Sequence, residues 1–503
     1  MPNRPATPFP TFLRKVRLTA FASVGALALS GCAGTTTPPV VPGQAQAITP
    51  EEKQQGAQAH PQLVAEFGGS YEGPGAGYVQ QVGQNIATQS GLANAQSAYT
   101  VTLLNSPVNN AFAIPGGYIY TTRQLVGLID NEAELAAVLG HEVGHVAARH
   151  SQSRQKAAQQ NSILGVLGSV LSGVLLGNSA LGQIGQQVAQ TGSQLLTLGY
   201  SRSQERQADD LGVAYLSGAG YDPRAMSTVL RSLAEQNALD ARLTGRGDTN
   251  VPEWASTHPD PASRVNEALA EAQGMPGNVT NRDVFLSRIN GMMYGDDPKQ
   301  GVVNGSTFIH PVFGFQFRAP DGYFMVNGTQ AVTITGQTGK AQLTTRPYGN
   351  NLESYIRAAF ADLTPQGQQN IVPQAIQRTT VNGIEAAYGQ ARVNNGQSNV
   401  EVTVFAYEFS NDQAFHFLTI TPVGQTATFN PMFNSMRRIS SAEANAVKAR
   451  KVSVVTVKSG DTIRSLANRM AYDNAQLERF LVLNSLDPNA TLRAGEKVKI
   501  VTY

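Results

Sequence analysis

Leu139-Gly140-His141-Glu142-Val143-Gly144-His145 decides how the first half of this chain folds and what chemistry it can carry. Two histidines four apart lie on one face of a helix, so both imidazoles can reach a single ion. Glu142 sits about 100° round the same helix, where its carboxylate can touch water at that ion without being a ligand. The helix has its own start signal, with Asp130 or Asn131 as cap and Glu132 and Glu134 in the first turn. Its apolar positions Leu135, Val138 and Leu139 carry it on to about Arg149. A catalytic zinc needs three protein ligands and an open position, so the third must come from elsewhere. Ser203-Gln204-Glu205-Arg206-Gln207-Ala208-Asp209 offers it on a second helix. There Glu205 can bind the metal while Asp209 accepts the other ring N–H of a ligating histidine. The competing reading is a solvated acidic face paired to Arg202 or Arg206. His150, five residues past His145, points off the metal face of a continuous helix and reads as a cation near a helix C-terminus. His60, His310 and His416 have no partners at ligand spacing.

Outward from this centre, Pro50 to Phe67 and Ala76 to Ser90 have helical spacing, and Ala98 to Leu104 alternates like a strand. Ala111 to Ile114 and Tyr118 to Thr121 flank a Pro115-Gly116-Gly117 turn as a hairpin. Ser203 to Leu216 reads as a helix, and Tyr221-Asp222-Pro223 restarts another that reaches roughly Leu239. Ile163 to Leu176 is apolar with interspersed Gly and Ser. It fits a core helix or lid, with membrane insertion as the alternative. From residue 305 to 440 the pattern changes to alternating strands with a helix over Leu352 to Leu363 and a closing helix near Phe429 to Arg438. That region predicts an α+β domain with an antiparallel sheet. A linker over Ser441 to Lys451 leads to a small module at 452–503. The expected fold class is therefore α+β multidomain, opening with a mainly helical zincin domain at 49–275.

Asn110-Ala111-Phe112-Ala113, Pro115-Gly116-Gly117, HEVGH, the Glu205-Ala208-Asp209 segment and Thr257-His258-Pro259 together resemble metallopeptidase family forty-eight. This is the gluzincin group of HtpX, Oma-type proteases and the β-barrel assembly-enhancing protease. The resemblance runs in matching order from about Pro50 to Gln273. It implies zinc, one per chain, held by His141, His145 and Glu205, with Glu142 as general base and then acid. It also implies endopeptidase action on unfolded or misassembled envelope proteins. Asn110 to Ala113 would be the edge strand that pairs with substrate main chain. His258 would lie near the metal, blocking it or stabilising the developing oxyanion, against the plainer reading of a loop histidine. Arg264 is either a structural ion pair or an oxyanion donor. No tetratricopeptide pattern follows, so the partners of the assembly-enhancing members are not implied.

Val457 to Ile500 resembles a LysM module of β-α-α-β order, through Gly460-Asp461-Thr462-Ile463, Leu483-Asn484-Ser485-Leu486 and Ala494-Gly495-Glu496-Lys497-Val498-Lys499-Ile500. Asp461 and Thr462 would cap its first helix. Such modules imply peptidoglycan as a ligand, although the fold alone does not establish binding. At the other end, Arg4, Arg14, Lys15 and Arg17 precede a short apolar run, Leu18 to Leu29, and then Leu29-Ser30-Gly31-Cys32. This resembles a signal peptide over 1–31 ending in the lipobox of bacterial lipoproteins, which implies an acylated Cys32 and a tether over 32–48. Ala33 after the Cys implies the periplasmic face of the outer membrane. Cys32 is the only cysteine, so no intrachain disulfide forms. Lys plus Arg number 37 against 35 Asp plus Glu, a balance that gives no nucleic-acid footprint. Two other functions fit the same parts: a cell-wall peptidase, and a peptidoglycan-binding lipoprotein with a latent peptidase.

Overall fold

The computed structural model describes residues 47–92, 95–152, 200–243, 258, 261–363, 371–394 and 399–503. The signal segment, Cys32 and the apolar run Ile163 to Leu176 lie outside the described residues. Helix α1 (Pro50–Glu66) starts where the Thr49 hydroxyl and the Glu52 carboxylate satisfy each other's backbone N–H, a reciprocal cap. Helix α2 (Ala76–Ala87) follows, and strands β1 (Thr100–Leu104), β2 (Ala111–Ile114) and β3 (Tyr118–Thr122) form a sheet of order β1-β3-β2. β2 pairs antiparallel with β3 across a turn in which Gly116 and Gly117 have φ of 92° and 82°. A Cβ on Gly116 would stand 2.6 Å from the Glu52 carbonyl, so α1 can pass this turn only because the side chain is absent.

A short helix α3 (Arg123–Leu128) leads into α4 (Glu132–Ala147), which carries the HExxH motif. Asn131 is the cap, its Oδ1 accepting from the Glu134 N–H at 3.0 Å. Asp130 has a different partner, described below. α4 also stops two residues short of the expected Arg149, because Arg149 has a φ of 53° and breaks the helical path. Helices α5 (Arg202–Gly218), α6 (Ala225–Leu243), α7 (Pro261–Glu271) and α8 (Arg282–Ile289) complete this layer. Every residue of α4 except Val146 is buried, so it is the central element of its layer. No helix among the described residues is long and apolar enough to cross a membrane.

Residues 324–422 build a seven-stranded antiparallel sheet whose strand Asn399–Ser410 is buried on both faces along its centre. Phe405 and Tyr407 face one apolar cluster with Phe417 and Phe317, while Val404 and Ala406 face another with Ile356 and Phe360 of helix Leu352–Asp362. The closing helix is shorter than expected, Asn430–Ser435, because Arg437 and Arg438 pair as a strand with Gln316 and Phe315. The Ser441–Lys451 stretch contains a capped helix, Ser441–Ala446.

In the last module, Lys451–Thr456 and Lys497–Thr502 pair antiparallel around two short helices, Ile463–Ala467 and Gln476–Leu483. Its first helix is capped by Thr462, whose hydroxyl accepts from the Ser465 N–H at 3.0 Å. Phe480, Leu483, Val498 and Ile500 belong to the same apolar cluster as Leu125, Val126, Leu230 and Leu233 of the helical layer. Lys499 is fully buried in that seam. Its ammonium donates to the carbonyls of Gly127, Leu128 and Ile129 at 3.1, 2.8 and 2.6 Å. It also pairs with Asp130 at 3.1 Å. Three orphan carbonyls at the end of α3 thereby gain a cationic donor, as the helix dipole favours.

Candidate metal centre

Close packing of two helices builds the site. A Cβ on Gly144 would lie 3.1 Å from the Ala208 carbonyl, and one on Gly212 would lie 3.2 Å from the His141 nitrogen. Small residues at these positions let α4 and α5 approach nearly backbone to backbone. That approach brings Glu205 and Asp209 onto the His141 and His145 face.

Four side chains converge there, all buried: His141, His145, Glu205 and His258 offer ligand atoms that lie within 4.8 Å of one another. His141 Nε2 is 2.9 Å from His145 Nε2 and 3.7 Å from Glu205 Oε2, and His145 Nε2 is 3.5 Å from Glu205 Oε1. His258 Nδ1 is 3.3 Å from His141 Nε2 and 3.1 Å from Glu205 Oε1. Tetrahedral zinc with bonds of about 2.0–2.1 Å separates its ligand atoms by about 3.4 Å, close to these spacings. The donor chemistry fits as well. The Asp209 carboxylate can only accept, so His141 donates Nδ1–H to it at 2.8 Å and turns its Nε2 lone pair into the cluster. The Ala111 carbonyl likewise accepts from His258 Nε2–H at 3.1 Å, which leaves His258 Nδ1 facing the same point. Imidazole lone pairs and a carboxylate converging this tightly suit a cation.

Electrostatics run the same way. Burial, reinforced by His141, holds the His145 pKa well below the usual imidazole range, which keeps a ligating ring neutral. Burial also opposes charge on His258, but the Glu205 and Glu142 carboxylates outweigh it and raise that pKa. For Asp209, burial is overridden by Arg264 and His141, and its carboxyl stays below the ordinary value. Arg264 spans both carboxylates, with Nε to Asp209 Oδ2 at 2.7 Å and Nη1 to Glu205 Oε2 at 2.5 Å. It is thus an ion pair within the support of the cluster. Glu142 is fully buried, with Oε1 3.5 Å from His258 Nε2.

Of the expected substrate strand, Ala111, Phe112 and Ala113 lie on β2 at the sheet edge, and Asn110 precedes it with its carbonyl bonded to Thr122 N–H. Three neighbours of the cluster carry no spacing signal in the sequence. Tyr200 stacks on His145 with centroids 3.6 Å apart and planes 14° apart. His150 returns to within 2.8 Å of His145 through its Nδ1, and Gln207 Oε1 lies 3.0 Å from His150 Nε2. His150 therefore contacts the cluster, contrary to the expectation from a continuous helix. His60 bonds Tyr120 and His416 bonds Tyr355, and neither belongs to the donor cluster.

Comparison with known proteins agrees with this architecture. Residues 75–272 match peptidase family M48, and residues 455–501 match the LysM domain. Over 229 residues the chain is 32% identical to a beta-barrel assembly-enhancing protease of Yersinia pestis, covering 44% of each chain. It is 29% identical over 216 residues to the protein of that name from Escherichia coli strain K12, covering 42% of each. It is also 29% identical over 233 residues to mitochondrial metalloendopeptidase OMA1 of Schizosaccharomyces pombe, covering 44% of this chain and 62% of that one. The chain thus spans less than half the length of the assembly-enhancing relatives. It carries an M48 peptidase domain and a LysM domain.

Proposed function

From an M48 peptidase domain with this donor cluster, we propose a zinc-dependent endopeptidase of the bacterial envelope that cuts misfolded or misassembled proteins. The observation that carries the reading is the convergence of His141, His145, Glu205 and His258 beside Glu142. His141, His145 and Glu205 hold the zinc, which when bound supplies a Lewis acid for the scissile carbonyl and the attacking water. Glu142 takes a proton from that water and passes it to the leaving amine. Asp209, fixed by Arg264, orients His141. Substrate main chain adds to the open edge of β2, and His258 must leave the Ala111 carbonyl for it to do so.

The names of the assembly-enhancing relatives support an envelope quality-control role. The lipobox-like segment supports anchoring through Cys32 at the periplasmic face of the outer membrane. The LysM match supports peptidoglycan as the ligand of the last module. It also keeps a cell-wall substrate in view, which release of muropeptides would reveal. The primary test compares zinc content and casein cleavage for the wild type and Glu142→Gln. The variant should keep about one zinc and lose cleavage. A variant that still cleaves casein would remove Glu142 from the chemistry, and a wild type without zinc would overturn the reading.

A further inference from the structure

We propose that the cleft at the far end of β2, between α1 and the last turn of α4, is a substrate subsite that selects an aliphatic side chain, with Val146 as its specificity-determining residue. The inference rests on the endopeptidase reading above and deepens it, from any unfolded chain to one that carries such a side chain at a fixed distance from the cut.

Successive residues of an antiparallel strand turn their backbone groups alternately to its two sides. The Asn110 carbonyl accepts from Thr122 N–H at 3.0 Å, inside the sheet, whereas the Ala111 carbonyl turns outward to His258 at 3.1 Å. Ala113 therefore faces outward as well, while Phe112 and Ile114 turn towards β3, where they pair with Tyr120 and Tyr118. The next outward position is Pro115, which has no N–H to give. Its carbonyl lies so close under Gly56 of α1 that a Cβ there would collide with it. An added strand thus has two anchors, Ala111 beside the donor cluster and Ala113 about 7 Å further on.

The cleft begins where that ladder stops. Ile48, Leu92, Ile114, Val146 and Ala147 give it aliphatic walls, next to His145 of the donor cluster. Val146 is the one residue of α4 that is not buried, and it borders this cleft. Charged groups border it too, yet they answer one another. The Glu52 carboxylate accepts from Thr49 N–H at 2.6 Å and from the Gln152 amide, and it pairs with Arg149 at 3.4 Å. Arg149 also donates to the Ala47 carbonyl at 2.8 Å. The surface these contacts leave open is chiefly aliphatic. A Val or Leu side chain is stabilised by covering it, whereas Lys or Glu would lose hydration with nothing in return. With the cut opposite Ala111, the selected residue stands about two positions away along the substrate.

Peptide binding to the full-length chain tests this without requiring turnover. Zinc-supplied Glu142→Gln protein is titrated into short fluorescein-labelled alanine–serine peptides. Each peptide carries one guest residue (Gly, Val, Leu, Phe, Lys or Glu) at a varied position, and anisotropy reports the Kd. At one guest position Val or Leu should bind about 10-fold more tightly than Gly, Lys or Glu. Adding Val146→Phe, which fills the cleft, should abolish that preference, and Val146→Ala, which widens it, should shift it towards Phe. Should Val146→Phe fail to fold, Val146→Ala and Ile48→Ala decide, both positions being only partly buried. Binding indifferent to the guest residue at every position, or the unaltered preference in the Val146 and Ile48 variants, would overturn the inference. Guest selectivity that follows Val146 in a protein whose wild type never cleaves casein would sink the peptidase reading and leave this subsite standing.

Discussion

His258 makes the cluster a four-donor set, and four protein donors are the mark of a closed zinc site rather than one with room for water. Its Nε2–H also occupies the Ala111 carbonyl, an edge group that a substrate strand would need under the proposed function. Under the proposed function, His258→Ala should keep about one zinc per chain through the remaining donors and raise casein cleavage. Unchanged kinetics would remove His258 from the site's control. At this scale, i,i+4 spacing singles out His141 with His145 and Glu205 with Asp209 as candidates, and Glu142 follows from its place beside His141; the structure brings the five side chains together. His258 came only from its place in a Thr-His-Pro segment. His150 reads as pointing off the metal face because a helical wheel presumes regular φ and ψ, and Arg149 departs from them. Tyr200 carries no signal in the sequence, because a single aromatic residue before a cap has no periodicity to read.

Among elements, the contact between α4 and α5 sets the cluster's dimensions. Gly144→Val would drive side-chain atoms into the Ala208 carbonyl, and overpacking of this kind costs about 1–3 kcal/mol. Because the same displacement separates His145 from Glu205, zinc affinity should fall along with the melting temperature. A lower melting temperature with wild-type zinc affinity would show that the cluster tolerates the shift. The helices themselves were legible from caps and apolar spacing, as was the Pro115-Gly116-Gly117 hairpin. Their distance was not, since the glycines in HEVGH and at 212 mean close approach only once the partner helix is known.

For the whole molecule, the sequence reads as a linker leading to a small module at 452–503, and the structure gives that module a core in common with the helical layer. Lys499→Met would leave Asp130 facing an apolar seam, and breaking a buried pair costs about 3–5 kcal/mol. The unfolding midpoints of the peptidase and LysM regions should fall together in that variant. A LysM transition moving alone would contradict the shared core. Nearby, burial and Asp130 push Glu134 up to about 7 from 4.5, so the folded chain keeps a proton that the unfolded chain releases. That contribution is present in full at low pH and lost as pH rises from about 4.5 through about 7, by at most about 1.4 kcal/mol per pH unit. Glu134→Gln should flatten the slope of urea stability over that window. No alternation or motif pointed to this seam, because a lysine in a terminal strand ordinarily reads as solvent-facing. The seam also orders events in time. Lys499 is made 370 residues after Ile129, so a nascent chain displays its HExxH helix long before the partner that completes the helix's surroundings exists. A polypeptide interrupted before its last module would hold all four members of the donor cluster yet lack the strand that closes its core, so under the proposed function the cluster is complete in sequence before its support is complete in structure.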